Sequence, residues 1–110
     1  MSESEIQKEI RLALGRREDV VLWRNNVGVM MRGGTYVRYG LCVGSADLIG
    51  IYKPTGQFLA IEVKEPGKKT TPDQKLFAQL VVGSNALYAC VTSAAQAVEF
   101  IETLAGRGDE

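Results

Sequence analysis

The sequence predicts an α/β fold, a mixed β-sheet of about four to five strands flanked by helices, in the order helix, three or four strands, helix, strand, helix. Three observations carry it. Apolar residues recur at helical spacing near both ends of the chain and again after residue 71. Between those stretches lie short runs rich in Val, Ile, Tyr and Phe, broken by Gly and Pro. The two clearest runs, 47–52 and 57–64, are apolar on both faces, which marks a sheet covered on both sides. At 110 residues, 45% hydrophobic and 24% charged, the chain suits one folded domain spanning 1–110.

The first helix is expected over about Glu3 to Leu14, where Ile6, Ile10, Ala13 and Leu14 share a face and Gly15 suits the end. Ser2 with Glu5, or Ser4 with Gln7, can form its capping box. Val20 to Arg24 reads as a strand, with Trp23 expected in the core. Residues 27–43 read as a hairpin or long loop broken at Gly33-Gly34. Asp47 to Tyr52 is a strand, Lys53-Pro54-Thr55-Gly56 a turn, and Gln57 to Lys64 the returning strand. After a polar loop, Thr71 caps a helix with Pro72 at its first position and Gln74 closing a capping box. That helix runs to about Val82 and ends at Gly83. Leu87 to Thr92 is a buried strand. Ser93 and Gln96 cap the last helix, which turns Ala97, Val98, Ile101 and Leu104 inward.

The most informative count is that of histidine, which is zero. It excludes Ser-His-Asp and Cys-His catalysis, His-ligated zinc and nucleases built on a histidine base. The two cysteines, Cys42 and Cys90, cannot make a four-thiolate site. Their apolar neighbours suggest two buried thiols in a reducing cytoplasm. The acidic, polar start from Met1 to Gln7 is unlike a secretion signal, and no apolar run reaches the ~18 residues of a membrane span. Oxygen donors therefore carry any metal chemistry, which suits magnesium or manganese. Net charge is zero, but residues 20–90 carry eight basic and four acidic side chains, and Val20 to Ala46 holds three arginines and no acid.

If Tyr52 opposes Gln57 across the turn, Asp47 falls opposite Glu62. Opposed side chains have Cβ atoms about 4.5–5.5 Å apart, where like charges repel. A bound divalent cation would relieve that repulsion. Strand alternation puts Lys64 on the Glu62 face, about 6.6 Å along. Two carboxylates and a lysine at one end of a sheet suit phosphodiester hydrolysis. The plain alternative is a Glu62–Lys64 surface ion pair with Asp47 capping a turn.

Gly44-Ser45-Ala46-Asp47, fifteen residues before Glu62-Val63-Lys64, resembles the PD-(D/E)xK nuclease motif. The surrounding chain resembles the VRR-NUC branch of that superfamily. It has the acidic first helix (Glu3, Glu5, Ile6, Gln7) and the stretch Arg24-Asn25-Asn26-Val27-Gly28. It also has Ile61-Glu62-Val63-Lys64 and a Thr71-to-Gln74 helix start. The family's proline before the Asp is Ala46 here. The resemblance implies a restriction-endonuclease-like core and a magnesium-dependent DNA endonuclease, with manganese as a substitute. It assigns Asp47, Glu62 and the Val63 carbonyl to the metal and Lys64 to catalysis, with a first-helix glutamate completing the site and Gln74 nearby. Glu3 is favoured over Glu5, which has a capping role, and Gln74 is equally explained as a helix cap. Arg24, Arg32, Arg38, Lys68 and Lys69 are candidate DNA contacts. A stand-alone domain of this type resembles homodimeric Holliday junction resolvases of bacterial or phage-infected cells, acting on branched DNA away from any membrane. Residues 27–43 are the candidate dimer surface. A flap or general duplex endonuclease, and a DNA-binding module without catalysis, are the alternatives.

Overall fold

The computed structural model describes residues 1–107. Within them run α1 (Glu3–Gly15), β1 (Val20–Arg24), β2 (Gly28–Arg32), β3 (Thr35–Tyr39), β4 (Leu48–Tyr52), β5 (Gln57–Val63), α2 (Pro72–Gly83), β6 (Leu87–Val91) and α3 (Ala94–Arg107). Four strands form a mixed sheet in the order β1-β4-β5-β6. The first two pairings are antiparallel, and β5 pairs with β6 in parallel through the α2 crossover. This is the α/β arrangement expected, and it is compatible with a restriction-endonuclease-like core. Across the β4–β5 turn, Tyr52 pairs with Gln57 and Leu48 with Ile61, the register the turn length predicts.

One sheet face holds the main core. Leu48 and Tyr52 of β4, Leu59, Ile61 and Val63 of β5, and Val91 of β6 meet Ile6, Ile10 and Leu14 of α1 and Ala97, Ile101 and Leu104 of α3. Each such aliphatic side chain contributes about 1.5–3 kcal/mol by leaving water. The helix starts are capped as the sequence suggests. Ser2 Oγ accepts from the Glu5 N–H at 3.2 Å, and the Glu5 carboxylate accepts from the Ser2 N–H at 3.2 Å. For α3, Ser93 Oγ accepts from the Gln96 N–H, but Gln96 Oε1 reaches back to the Thr92 N–H at 2.7 Å instead of that of Ser93. Arg17 clamps the α1 exit to α3, donating to Asp19 at 2.8 and 3.0 Å and to Glu102 at 2.7 Å.

The opposite face is covered only in part, contrary to expectation. Ala46, Ala60, Phe77 and Val81 form a small cluster under α2. A helix is about 10–12 Å across and strands are spaced about 4.8 Å apart, so one helix cannot roof four strands. Ile51 and Phe58 are left exposed, and Trp23, expected in the core, is 51% exposed on the edge strand β1. Both cysteines are exposed and not buried: Cys42 sits in the loop after β3, and Cys90 lies on the edge strand β6, on the face opposite the buried Val91. That edge position also leaves β6 only half-buried.

Strands β2 and β3 form a separate hairpin. Its turn, Gly33-Gly34, has φ of 56° and 81°, the doubly positive geometry of a type I′ turn that two glycines adopt without strain. Every strand residue except Gly28 is exposed. No helix among the described residues is long and apolar enough to cross a membrane.

Candidate active site

The end of β1 builds the approach to Asp47. The Asn25 N–H donates to the Asp47 carbonyl at 2.8 Å, and Asn25 Nδ2 donates to the Ala46 carbonyl at 2.8 Å and to Ser45 Oγ at 2.9 Å. Gly44, at φ 84°, passes so close to the Asp73 backbone that a Cβ there would overlap it. The chain before β4 is thereby pinned between β1 and the start of α2.

Asp47 stands one residue outside the β4–β5 ladder, which ends at Leu48–Ile61. It is not a simple cross-strand partner of Glu62. Its Oδ2 instead accepts from the Val63 N–H at 2.8 Å. Glu62 is 2% exposed, on the α2 side of β5. Its Oε1 accepts from Gln74 Nε2 at 3.3 Å, and its Oε2 is buried with no hydrogen-bond partner. Gln74 Oε1 meanwhile accepts from the Thr71 N–H at 2.8 Å, so Gln74 caps α2 and holds Glu62 at once.

Burial raises the Glu62 pKa well above the usual carboxylate range. Asp47 adds to the rise by accepting a hydrogen bond from the protonated form and by its own charge. Lys64 opposes the rise and Glu3 adds to it, so the field of both reaches Glu62. Lys64 is half-buried, and its N–H donates to the Val91 carbonyl at 3.0 Å. Glu3 is half-buried at the start of α1, whereas Glu5 is engaged by Ser2, whose N–H and hydroxyl hold its carboxyl below the ordinary value. Among the described residues no third Asp, Glu, Cys or His joins Asp47 and Glu62 in a ligand cluster. Cys90 is the register partner of Glu62 across β5–β6; although the residue is exposed, partial desolvation of its thiol and the Glu62 charge push its pKa up, and burial pushes the nearby Tyr88 up to about 12.

A cleft of about 350 Å³ opens beside Asp47, lined by Gln7, Arg24, Asn25, Asn26, Val27 and Tyr39. Arg24 therefore lies at the site, whereas Arg32 and Arg38 lie on the β2–β3 hairpin. Lys68 makes a long ion pair with Glu65 at 3.9 Å, and Lys69 is exposed. Asn25 works through long-range hydrogen bonding, which no local sequence pattern reveals. An orphaned, buried carboxylate oxygen beside a second carboxylate suits a divalent cation.

The VRR-NUC domain family matches residues 30–95, a span that includes Asp47, Glu62, Lys64 and Gln74. The chain belongs to the VRR-NUC family. It is thus a nuclease domain of the PD-(D/E)xK-like superfamily. Among curated proteins none matches the chain. Glu3 and the Asn25 anchor fall outside the span matched by the VRR-NUC family, although β1 pairs with β4 and brings Asn25 onto the backbone of Asp47.

Proposed function

We propose that this VRR-NUC domain is a magnesium-dependent, structure-specific DNA endonuclease that resolves four-way junctions as a homodimer. The observation that carries the reading is the Asp47–Glu62 pair, two neighbouring carboxyls with one buried oxygen left without a partner. Asp47, Glu62 and the Val63 carbonyl would hold magnesium, or manganese in its place. When bound, the ion polarises a phosphoryl oxygen and lowers the pKa of a water molecule. Lys64 orients the attacking water and offsets the negative charge that develops at phosphorus. Gln74 fixes Glu62 through Oε1, and Asn25 fixes the Asp47 backbone. Glu3 shapes the field at Glu62 from α1. Arg24 at the cleft, with Lys68 and Lys69 on the loop after β5, meets phosphates on either side of the scissile bond.

The dimer follows from the task and from the surface. Resolution takes two symmetric cuts, and a twofold pair supplies two sites from one sequence. In place of residues 27–43, the face that supports the dimer is the open side of the sheet, where Trp23 and Ile51 are exposed and Phe58 lines an apolar groove with Phe77, Leu80 and Val81. An exposed apolar face of this kind suits contact between two copies.

The test is cleavage of a labelled four-way junction beside linear duplex and flap substrates, with magnesium and with chelator. Paired symmetric cuts in the junction, only with magnesium, are expected. Preferential flap or duplex cleavage supports the alternative endonuclease, and binding without cleavage supports a DNA-binding module. Light scattering should give twice the 12.0 kDa mass of the chain.

A further inference from the structure

Most of the β2–β3 hairpin does no visible structural work. The β2 and β3 strands pack on each other and barely touch the rest of the molecule, and neither core cluster contains any of their side chains. An isolated two-stranded hairpin is marginal in water. Yet this one exposes Val29, Met30, Met31, Tyr36 and Val37, with Tyr36 at 73% and Met31 at 59%. A partner is therefore implied, and the charges say of what kind. Alternation places Arg38 on the face of Val29, Met31 and Tyr36, and Arg32 on the face of Met30 and Val37. Each face thus carries an arginine. Neither arginine makes an ion pair among the described residues, and no acid occurs from Val20 to Ala46.

Protein interfaces also enrich Arg, Met and Tyr, but a segment with no acid and such an arginine on each face complements a polyanion, whose phosphates the guanidinium fork matches. A two-stranded ribbon also fits the major groove of B-DNA. The tip is slim: a Cβ added at Gly33 or Gly34 would meet nothing within 4 Å. The root is at the catalytic cleft, because Val27, just before the hairpin, and Tyr39, its last strand residue, line the cleft with Asp47.

We infer that the β2–β3 hairpin is a DNA-reading arm. Arg32 and Arg38 grip phosphates on its two faces, and the Met31–Tyr36 pair beside its tip packs against bases. This rests on the reading of DNA as substrate. Five paired residues extend roughly 17 Å, which is about five base-pair steps. The arm therefore senses structure about five base pairs from the cut, and a branch at that distance is what it distinguishes from plain duplex.

Two measurements decide this, both on Lys64→Ala protein so that binding is read without cleavage. The first is affinity for a labelled four-way junction against potassium chloride concentration, with and without Arg32→Ala/Arg38→Ala. Two lost phosphate contacts make the salt slope shallower by about 1.8. Because the arm stands clear of both cores, the melting temperature should not move. The second is a photocrosslinking residue in place of Tyr36, expected to capture nucleotides in the arm of the junction. An unchanged salt slope, or crosslinks only to a second copy of the chain, overturns the arm. Neither readout needs catalysis, so a protein that binds through the arm yet cuts nothing defeats the endonuclease reading alone.

Discussion

Replacing Glu62 by Gln should stabilise the metal-free protein while abolishing cleavage. Glu62 is 2% exposed, and its Oε2 is buried without a partner beside the Asp47 carboxyl. A carboxyl whose folded pKa lies above its ordinary 4.5 helps the fold only while protonated; that help is complete below 4.5 and is lost as pH rises through the raised value. At pH 8 in chelator the wild type therefore carries the strain of a buried charge, or of a proton held against solution. Gln keeps the shape and the Oε1 acceptor for Gln74, and its amide can donate toward Asp47. Removing one uncompensated buried polar group is worth about 1–3 kcal/mol. For a domain of this size each kcal/mol moves the melting temperature by roughly 4–8 °C. The gain should be small near pH 4.5 and grow as pH rises. Magnesium should reverse the order: at 100 times its dissociation constant it adds about 2.7 kcal/mol to wild type and much less to Glu62→Gln. Thermal melts over pH 4.5–9, with chelator and with magnesium, read both effects. A Glu62→Gln protein that is equal or less stable at pH 8 in chelator would refute the argument, because the second oxygen would then have a partner.

Lys64→Ala should lower the cleavage rate by about 10²–10³ with an unchanged melting temperature, since one well-placed charge contact is lost from the transition state; activity within a few-fold would remove Lys64 from the chemistry. Glu5→Ala should cost about 0.5–1 kcal/mol through the lost cap and keep activity, whereas Glu3→Ala should keep stability and lose activity, and paired melts and cleavage rates separate them. Asp19, hydrogen-bonded by the Arg17 fork, has its pKa held below the ordinary value, so its contribution is present above pH 3.8 and is lost as pH falls below it. Asp19→Asn should therefore cost about 1 kcal/mol at pH 7 and little near pH 2, as denaturant melts at the two pH values would show.

Local chemistry carried most of the fold into the sequence. Capping boxes at Ser2 and Thr71, the Pro54-to-Gly56 turn and the Gly33-Gly34 tip each involve a few adjacent residues, and each is found where the pattern places it. The VRR-NUC membership was legible because Asp47, Glu62 and Lys64 keep their spacing within a longer string of motifs. Failures came where the outcome depends on which strand sits at an edge. Trp23 and Cys90 have core-like neighbours in sequence, but β1 and β6 are the two edges, and α2 covers only part of one face. The Asp47–Glu62 geometry was half visible. The register was right, yet the ladder stops one pair short, because the Asp47 carboxylate takes the Val63 N–H and its backbone carbonyl is held by Asn25.

Gln74 faces two clients with opposite demands. Its oxygen must receive a proton donor from Thr71 while its nitrogen must offer one to Glu62. Helix-capping chemistry treats Glu and Gln as equivalent at this position. Here they are not equivalent: a glutamate would satisfy Thr71 and set a third negative charge against Glu62. The position thus admits the amide and rejects its nearest isostere, though the rejection comes from across the fold and not from the helix. Gln74→Glu would leave α2 correctly started and take from Glu62 its amide hydrogen-bond donor. A surface-looking cap residue is thereby constrained from across the fold, by the carboxyl it holds as well as by the helix it starts.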